Sequence, residues 1–227
     1  MKNSKGDSSK HLRQELQKYP KILQKKKNKK KKKRKLRKKG NGSKPSSNRP
    51  ERNRARIEVW FQDELRAGQQ GSLSRAWAKK GTRPRRIRQR QYKSSYIYGA
   101  ICPKKDKGCA LVLPYASTEG MQIHLDEISK NVTRGYHAII VMDGAGWHVA
   151  NDLKIPNNIT LMKLPPYSPE LNPMEQVFQQ LRKLKLSNAC YDSHEEIDNA
   201  CVDAWNEFIS EKGAIKRLAS RKWANVN

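Results

Sequence analysis

The sequence predicts an α/β domain, a mixed sheet flanked by helices, behind a strongly basic tail. Three observations carry this. Ile57, Val59 and Phe61 alternate at a strand period, and Ala138–Met142 is apolar throughout, as in a strand buried on both faces. Helical stripes then follow at Met174, Val177, Phe178 and Leu181, and at Ile197, Cys201, Trp205 and Phe208. The tail is legible from charge: residues 1–56 hold 24 of the chain's 49 Lys and Arg, against only Asp7, Glu15 and Glu51. Residues 1–20 read as weakly helical at best. The lysine block over 21–39 repels itself and stays solvated, and Gly40–Ser47 is turn-rich linker. The expected organisation is a lysine-rich disordered tail and linker over 1–56 and one domain over 57–227, long enough to bury a core.

Within that domain the first strand is expected to end at Asp63, which falls in register with its apolar positions. Residues 64–95 read as an irregular basic excursion around Trp77 and Pro84. Tyr96–Ile101 and Cys109–Leu113 form a hairpin across Lys104–Gly108. Met121, Leu125, Ile128 and Val132 repeat at helical spacing behind the cap candidates Ser117 and Thr118. The buried strand Ala138–Met142 ends in Asp143, and Gly144 lets the chain turn. Ile159–Met162 is a further strand. Asn172 caps the next helix, Pro173 fits its first position and Glu175 lies in its first turn. Ser193 and Glu196 make a capping-box pair ahead of the last helix.

Composition excludes several classes. A net charge of +28 suits a polyphosphate partner. No apolar run approaches the roughly 20 residues of a membrane span, and no apolar stretch follows the basic start as in a secretory signal. Four cysteines are too few for a disulfide scaffold, and their spacing is not that of a zinc site; buried free thiols are expected. There is no phosphate-cradling glycine loop and no dinucleotide fingerprint.

Three carboxylates stand out by position. If the strands ending in Asp63 and Asp143 lie side by side and parallel, both side chains emerge at one sheet edge, where ligands bind. Glu175, at a helix start, could join them. Three carboxylates in one pocket repel unless a cation neutralises them, and hard oxygen ligands suit Mg²⁺ or Mn²⁺. Two such ions would serve phosphodiester chemistry. Each residue also has a plainer reading: a strand-end turn for Asp63, a turn before Gly144 for Asp143, and a complement to the helix dipole for Glu175. Lys79, Lys80, Arg83, Arg85, Arg86 and Arg88 are either a solvated face or contacts to a nucleic-acid backbone. Trp77 either stacks on a base or pins its loop.

Val59–Glu64, Val141–His148 and the Pro-rich block Leu164–Glu175 occur in that order, with Arg75–Pro84 between the first two. Together they resemble the catalytic domain of mariner-superfamily transposases, in their bacterial insertion-sequence branch, over residues 57 to about 210. The resemblance implies a ribonuclease-H-like fold and an Asp-Asp-Glu triad at Asp63, Asp143 and Glu175. It implies two Mg²⁺ or Mn²⁺ ions and no covalent protein intermediate. The implied activity is cutting of double-stranded DNA at a mobile element's inverted ends and joining of the freed 3′-hydroxyls to target DNA, commonly at TA steps. It also implies a homodimer when active and a cytoplasmic, nucleoid-associated bacterial protein. His148, next to Trp147 in the family motif, would orient DNA or sit as a satisfied polar residue. The helix-turn-helix domains that read the ends in this family are not legible in residues 1–56, so the chain is expected to be N-terminally atypical or truncated. The competing expectations are an inactive remnant that binds nucleic acid by charge alone, and a structure-selective nuclease on the same fold.

Overall fold

The computed structural model describes residues 9–18, 56–70, 78–82, 89, 91–144, 153–166 and 168–224. Five strands form one sheet: β1 (Arg56–Gly68), β2 (Ser94–Cys102), β3 (Lys107–Leu113), β4 (Tyr136–Met142) and β5 (Ile159–Lys163), in the order β3-β2-β1-β4-β5. β1, β2 and β3 run antiparallel in succession, while β4 lies parallel to β1, and β5 parallel to β4. This is the mixed sheet that the sequence predicts, with the hairpin on one side and the crossover strands on the other. The hairpin turns through a short 3₁₀ segment, Pro103–Lys105, and through Asp106 in the left-handed region at φ 52°. Asp tolerates that conformation better than most residues.

Helices cover both faces. α2 (Thr118–Asn131) starts where the Ser117 hydroxyl accepts from the Gly120 N–H at 3.1 Å. Its Met121, Leu125 and Ile128 pack with Trp60, Tyr98, Ala138 and Ile140. On the opposite face, α3 (Met174–Leu181), α4 (His194–Ser210) and α5 (Ala214–Ala219) enclose Ile57, Val59, Phe61, Leu65 and Val141. α4 begins at the expected cap, with Ser193 Oγ accepting from the Glu196 N–H at 3.1 Å. The Glu196 carboxylate bonds the Asp192 N–H, one residue before the position a regular capping box would use.

Three features differ from the sequence reading. β1 does not end at Asp63. It runs on to Gly68, because Leu65 and Ala67 continue the buried alternation and β2 stays paired with it as far as Gly68↔Ser94. The irregular excursion therefore starts only after that residue. α5 was not anticipated; its six residues are too few for a periodic signal, and its first turn is capped from outside, by the Asp106 carboxylate on the Gly213 and Lys216 N–H groups. Finally, residues 9–18, which read as weakly helical at best within the tail assigned to 1–56, form a helix, α1. Leu12 and Leu16, four apart on one face, are buried in the α3–α5 core, and that burial holds α1 in place.

Candidate active site

The parallel pairing of β1 and β4 ends at Phe61↔Val141. Asp63 stands two residues further along β1, on the face that Phe61 shares, and Asp143 directly follows Met142, the last residue of β4. Beyond this point β4 gives way to Gly144, whereas β1 continues beside β2 alone, with Asp63 opposite Gly99. The two aspartates thus meet where one strand stops and its neighbour carries on.

α3 brings the third carboxylate. Met174, Val177, Phe178 and Leu181 are all buried and seat the helix on the sheet. Gly99 is the contact that lets it come close: a Cβ there would stand 2.7 Å from Met174 Cε and 3.3 Å from the Phe178 ring. Asn172, the expected cap, stands one residue before the helix's N-cap, Pro173, and its Oδ1 accepts from the Met174 N–H at 3.1 Å. Its amide nitrogen turns the other way and donates to the Gln62 carbonyl at 3.0 Å and to Asp63 Oδ2 at 3.3 Å. The sequence shows the capping role of Asn172 but not the second one, because 109 residues separate it from Asp63.

Asp63 is largely buried, and its other oxygen accepts from the Glu64 N–H at 2.9 Å. Burial pushes its carboxyl up from 3.8 to about 7; the Glu64 N–H opposes this, and the charges of Glu64, Asp143 and Glu175 add to it. Asp143 and Glu175 are thus both near enough to act on Asp63 electrostatically. Asp143 is exposed, and Glu175 is half-exposed in the first turn of α3, where the helix dipole favours a negative charge. Arg182, seven residues on, lies 3.8 Å from Glu175 Oε1, at the start of a π-helical turn, Arg182–Leu186. Among the described residues, no three His, Cys, Asp or Glu side chains converge tightly enough to hold a metal ion as they stand. The donor chemistry, an all-oxygen carboxylate set, is nevertheless of the kind that suits a hard divalent cation.

The proposed nucleic-acid contacts are only partly visible. Lys79 and Lys80 are exposed beside a turn that the Thr82 N–H closes on the Lys79 carbonyl at 3.0 Å. Trp77, Arg83, Arg85, Arg86, Arg88 and His148 lie outside the described residues. Two basic residues not singled out from sequence, Arg66 and Arg182, line a cavity of about 120 Å³ beside the extension of β1. Of the four free cysteines, Cys102, Cys109 and Cys201 are buried as expected, and burial pushes each thiol up to about 12, so none supplies a thiolate nucleophile. Cys190 is exposed. Among the described residues, no helix is long and apolar enough to cross a membrane.

A five-stranded mixed sheet in the order β3-β2-β1-β4-β5, flanked by helices on both faces, is a ribonuclease-H-like fold. Residues 58–198 match the family of DDE superfamily endonucleases, and the chain belongs to that family. An uncharacterized protein of Sinorhizobium fredii, y4pE/y4sA, is 50% identical over 131 residues, which cover 58% of this chain and 97% of that protein. Two solved structures share the fold at 16% sequence identity. The pre-cleavage Mos1 transpososome has a TM-score of 0.51, covering 82% of this chain and 65% of that one. The Mos1 transposase paired-end complex with left transposon end has a TM-score of 0.50, covering 83% of this chain and 65% of that one. The chain thus spans a little under two thirds of the length of these transposase chains.

Proposed function

We propose that this chain is the catalytic domain of a DNA transposase, of the bacterial insertion-sequence kind, which cleaves and transfers DNA strands with divalent metal ions held by Asp63, Asp143 and Glu175. The observation that carries this reading is the juxtaposition of Asp63 and Asp143 at the end of the β1–β4 pairing, with the helix of Glu175 tied to Asp63 through Asn172. Asp63 supplies a buried, hydrogen-bonded carboxylate. Asp143 and Glu175 face solvent, which leaves the site open to a bulky polyanionic substrate. Two Mg²⁺ or Mn²⁺ ions there would activate an attacking oxygen and stabilise the leaving one.

The protein groups bind and orient. Arg182, beside Glu175, and Arg66, on the extension of β1, line the neighbouring cavity and offer guanidinium groups to a DNA phosphate. The exposed Lys79 and Lys80, with Arg83, Arg85, Arg86 and Arg88, extend the basic surface along the duplex, Trp77 stacks on a base, and His148 orients the strand. Two DNA ends must meet for transposition, so the active form is a homodimer. The basic segment over 19–55 adds affinity of a salt-dependent, sequence-independent kind.

Nicking of supercoiled plasmid in Mn²⁺ tests the reading. The wild-type chain is expected to nick, EDTA to stop it, and Asp143→Asn to reduce nicking to background while the variant stays folded. Cleavage retained by folded Asp143→Asn would remove the triad assignment.

A further inference from the structure

We infer that Asn172 is a positioning residue for the metal site: one buried side chain orients the Asp63 carboxylate and, through the same amide group, fixes the helix that bears Glu175. The inference rests on the proposed metal-dependent function.

Asn172 is 5% exposed and uses both ends of its amide. Its NH₂ has two hydrogens, and these serve the Gln62 carbonyl at 3.0 Å and Asp63 Oδ2 at 3.3 Å. Its oxygen takes the Met174 N–H at 3.1 Å. A helix cap needs only that oxygen; a serine would do as well. The donor half is superfluous to capping, and it is spent on β1 and on Asp63. With the Glu64 N–H on Oδ1, each Asp63 oxygen then accepts one hydrogen bond, so the carboxylate cannot rotate about its Cβ–Cγ bond without losing one. Each oxygen still has a lone pair for a cation. The close seating of α3 over Gly99 keeps the bridge short, since Met174 would have to move for any side chain at that position. A partner that orients a metal-binding carboxylate in this way is worth about 10–100-fold in metal affinity.

The test uses the full chain and Mn²⁺ alone, following thermal unfolding across a Mn²⁺ titration. Asn172→Ser keeps a capping oxygen but is too short to reach Asp63. It is expected to retain the wild-type circular dichroism spectrum while its Mn²⁺ midpoint moves about 10–100-fold upward. A folded Asn172→Ser with the wild-type midpoint overturns the inference and leaves the metal site standing. Asn172→Thr, which also caps, repeats the measurement should the serine variant not fold. If neither folds, Asn172 serves the fold rather than the site, and the inference fails. If the wild-type chain shows no Mn²⁺ response at all, and Asp143→Ala behaves identically, the metal-site reading falls and takes this inference with it.

Discussion

Asp63→Asn should make the metal-free protein more stable at pH 8. Burial and three neighbouring carboxylates push Asp63 from 3.8 to about 7 in the folded chain. That difference is roughly three pH units, and at about 1.4 kcal/mol per unit it amounts to ~4 kcal/mol. Asp143 and Glu175 are partly solvated, so salt screens their share, and ~2–4 kcal/mol is the range to expect. Because the folded state holds the proton more tightly than the unfolded one, the favourable contribution is complete below about pH 4 and is lost as pH rises to about 7. Asn is neutral and nearly isosteric, and its carbonyl oxygen can still accept a hydrogen bond. Urea unfolding of both chains in EDTA between pH 4 and 8 reads the difference directly. The curves should meet near pH 4 and separate through pH 7, with the variant above. Saturating Mn²⁺ at pH 8 should raise the wild type alone and close or reverse the gap. Parallel curves, or a variant less stable than wild type at pH 8 without metal, would refute the proposed burden of negative charge at this site.

Two further substitutions test the packing that holds the site together. Leu16→Ala should cost about 2–5 kcal/mol in urea unfolding, the usual penalty for a truncated core leucine, whereas a leucine in a free tail would cost nothing. Gly99→Ala should cost about 1 kcal/mol by overpacking in urea unfolding, because its Cβ stands 3.3 Å from both the Phe178 and Trp205 rings, while the Met174 Cε at 2.7 Å can swing aside.

Much of the molecule is written locally. Caps at Ser117 and Ser193, the apolar run of β4 and the stripe of α3 each need only neighbours in sequence, and each forms where expected. Asp143, directly after β4, and Glu175, in the first turn of α3, stand out in the sequence because each flanks or opens such an element, whereas Asp63 lies inside β1. What the local pattern could not show depends on distant partners. The alternation of β1 sorts Glu58, Trp60 and Gln62 onto one face, but their complete burial, with Trp60 packed among the α2 residues Met121, Leu125 and Ile128, depends on tertiary structure. Asp63 reads as a strand end from residues 57–63 alone; the pairing with β2 that carries β1 on to Gly68 is invisible from them. α1 has only a weak helical signal in the sequence, as two leucines give no stripe until a core receives them. The bridge from Asn172 to Asp63 and the approach of Arg182 to Glu175 are tertiary contacts with no sequence signal of their own.

The most direct measurement is Mn²⁺ uptake by the full chain at neutral pH, followed by loss of the free-ion electron paramagnetic resonance signal. The wild-type chain should bind Mn²⁺, and Asp63→Ala, Asp143→Ala and Glu175→Ala should each weaken that binding by an order of magnitude or more. Uptake by folded Asp143→Ala equal to that of the wild type would contradict a shared carboxylate site for the metal.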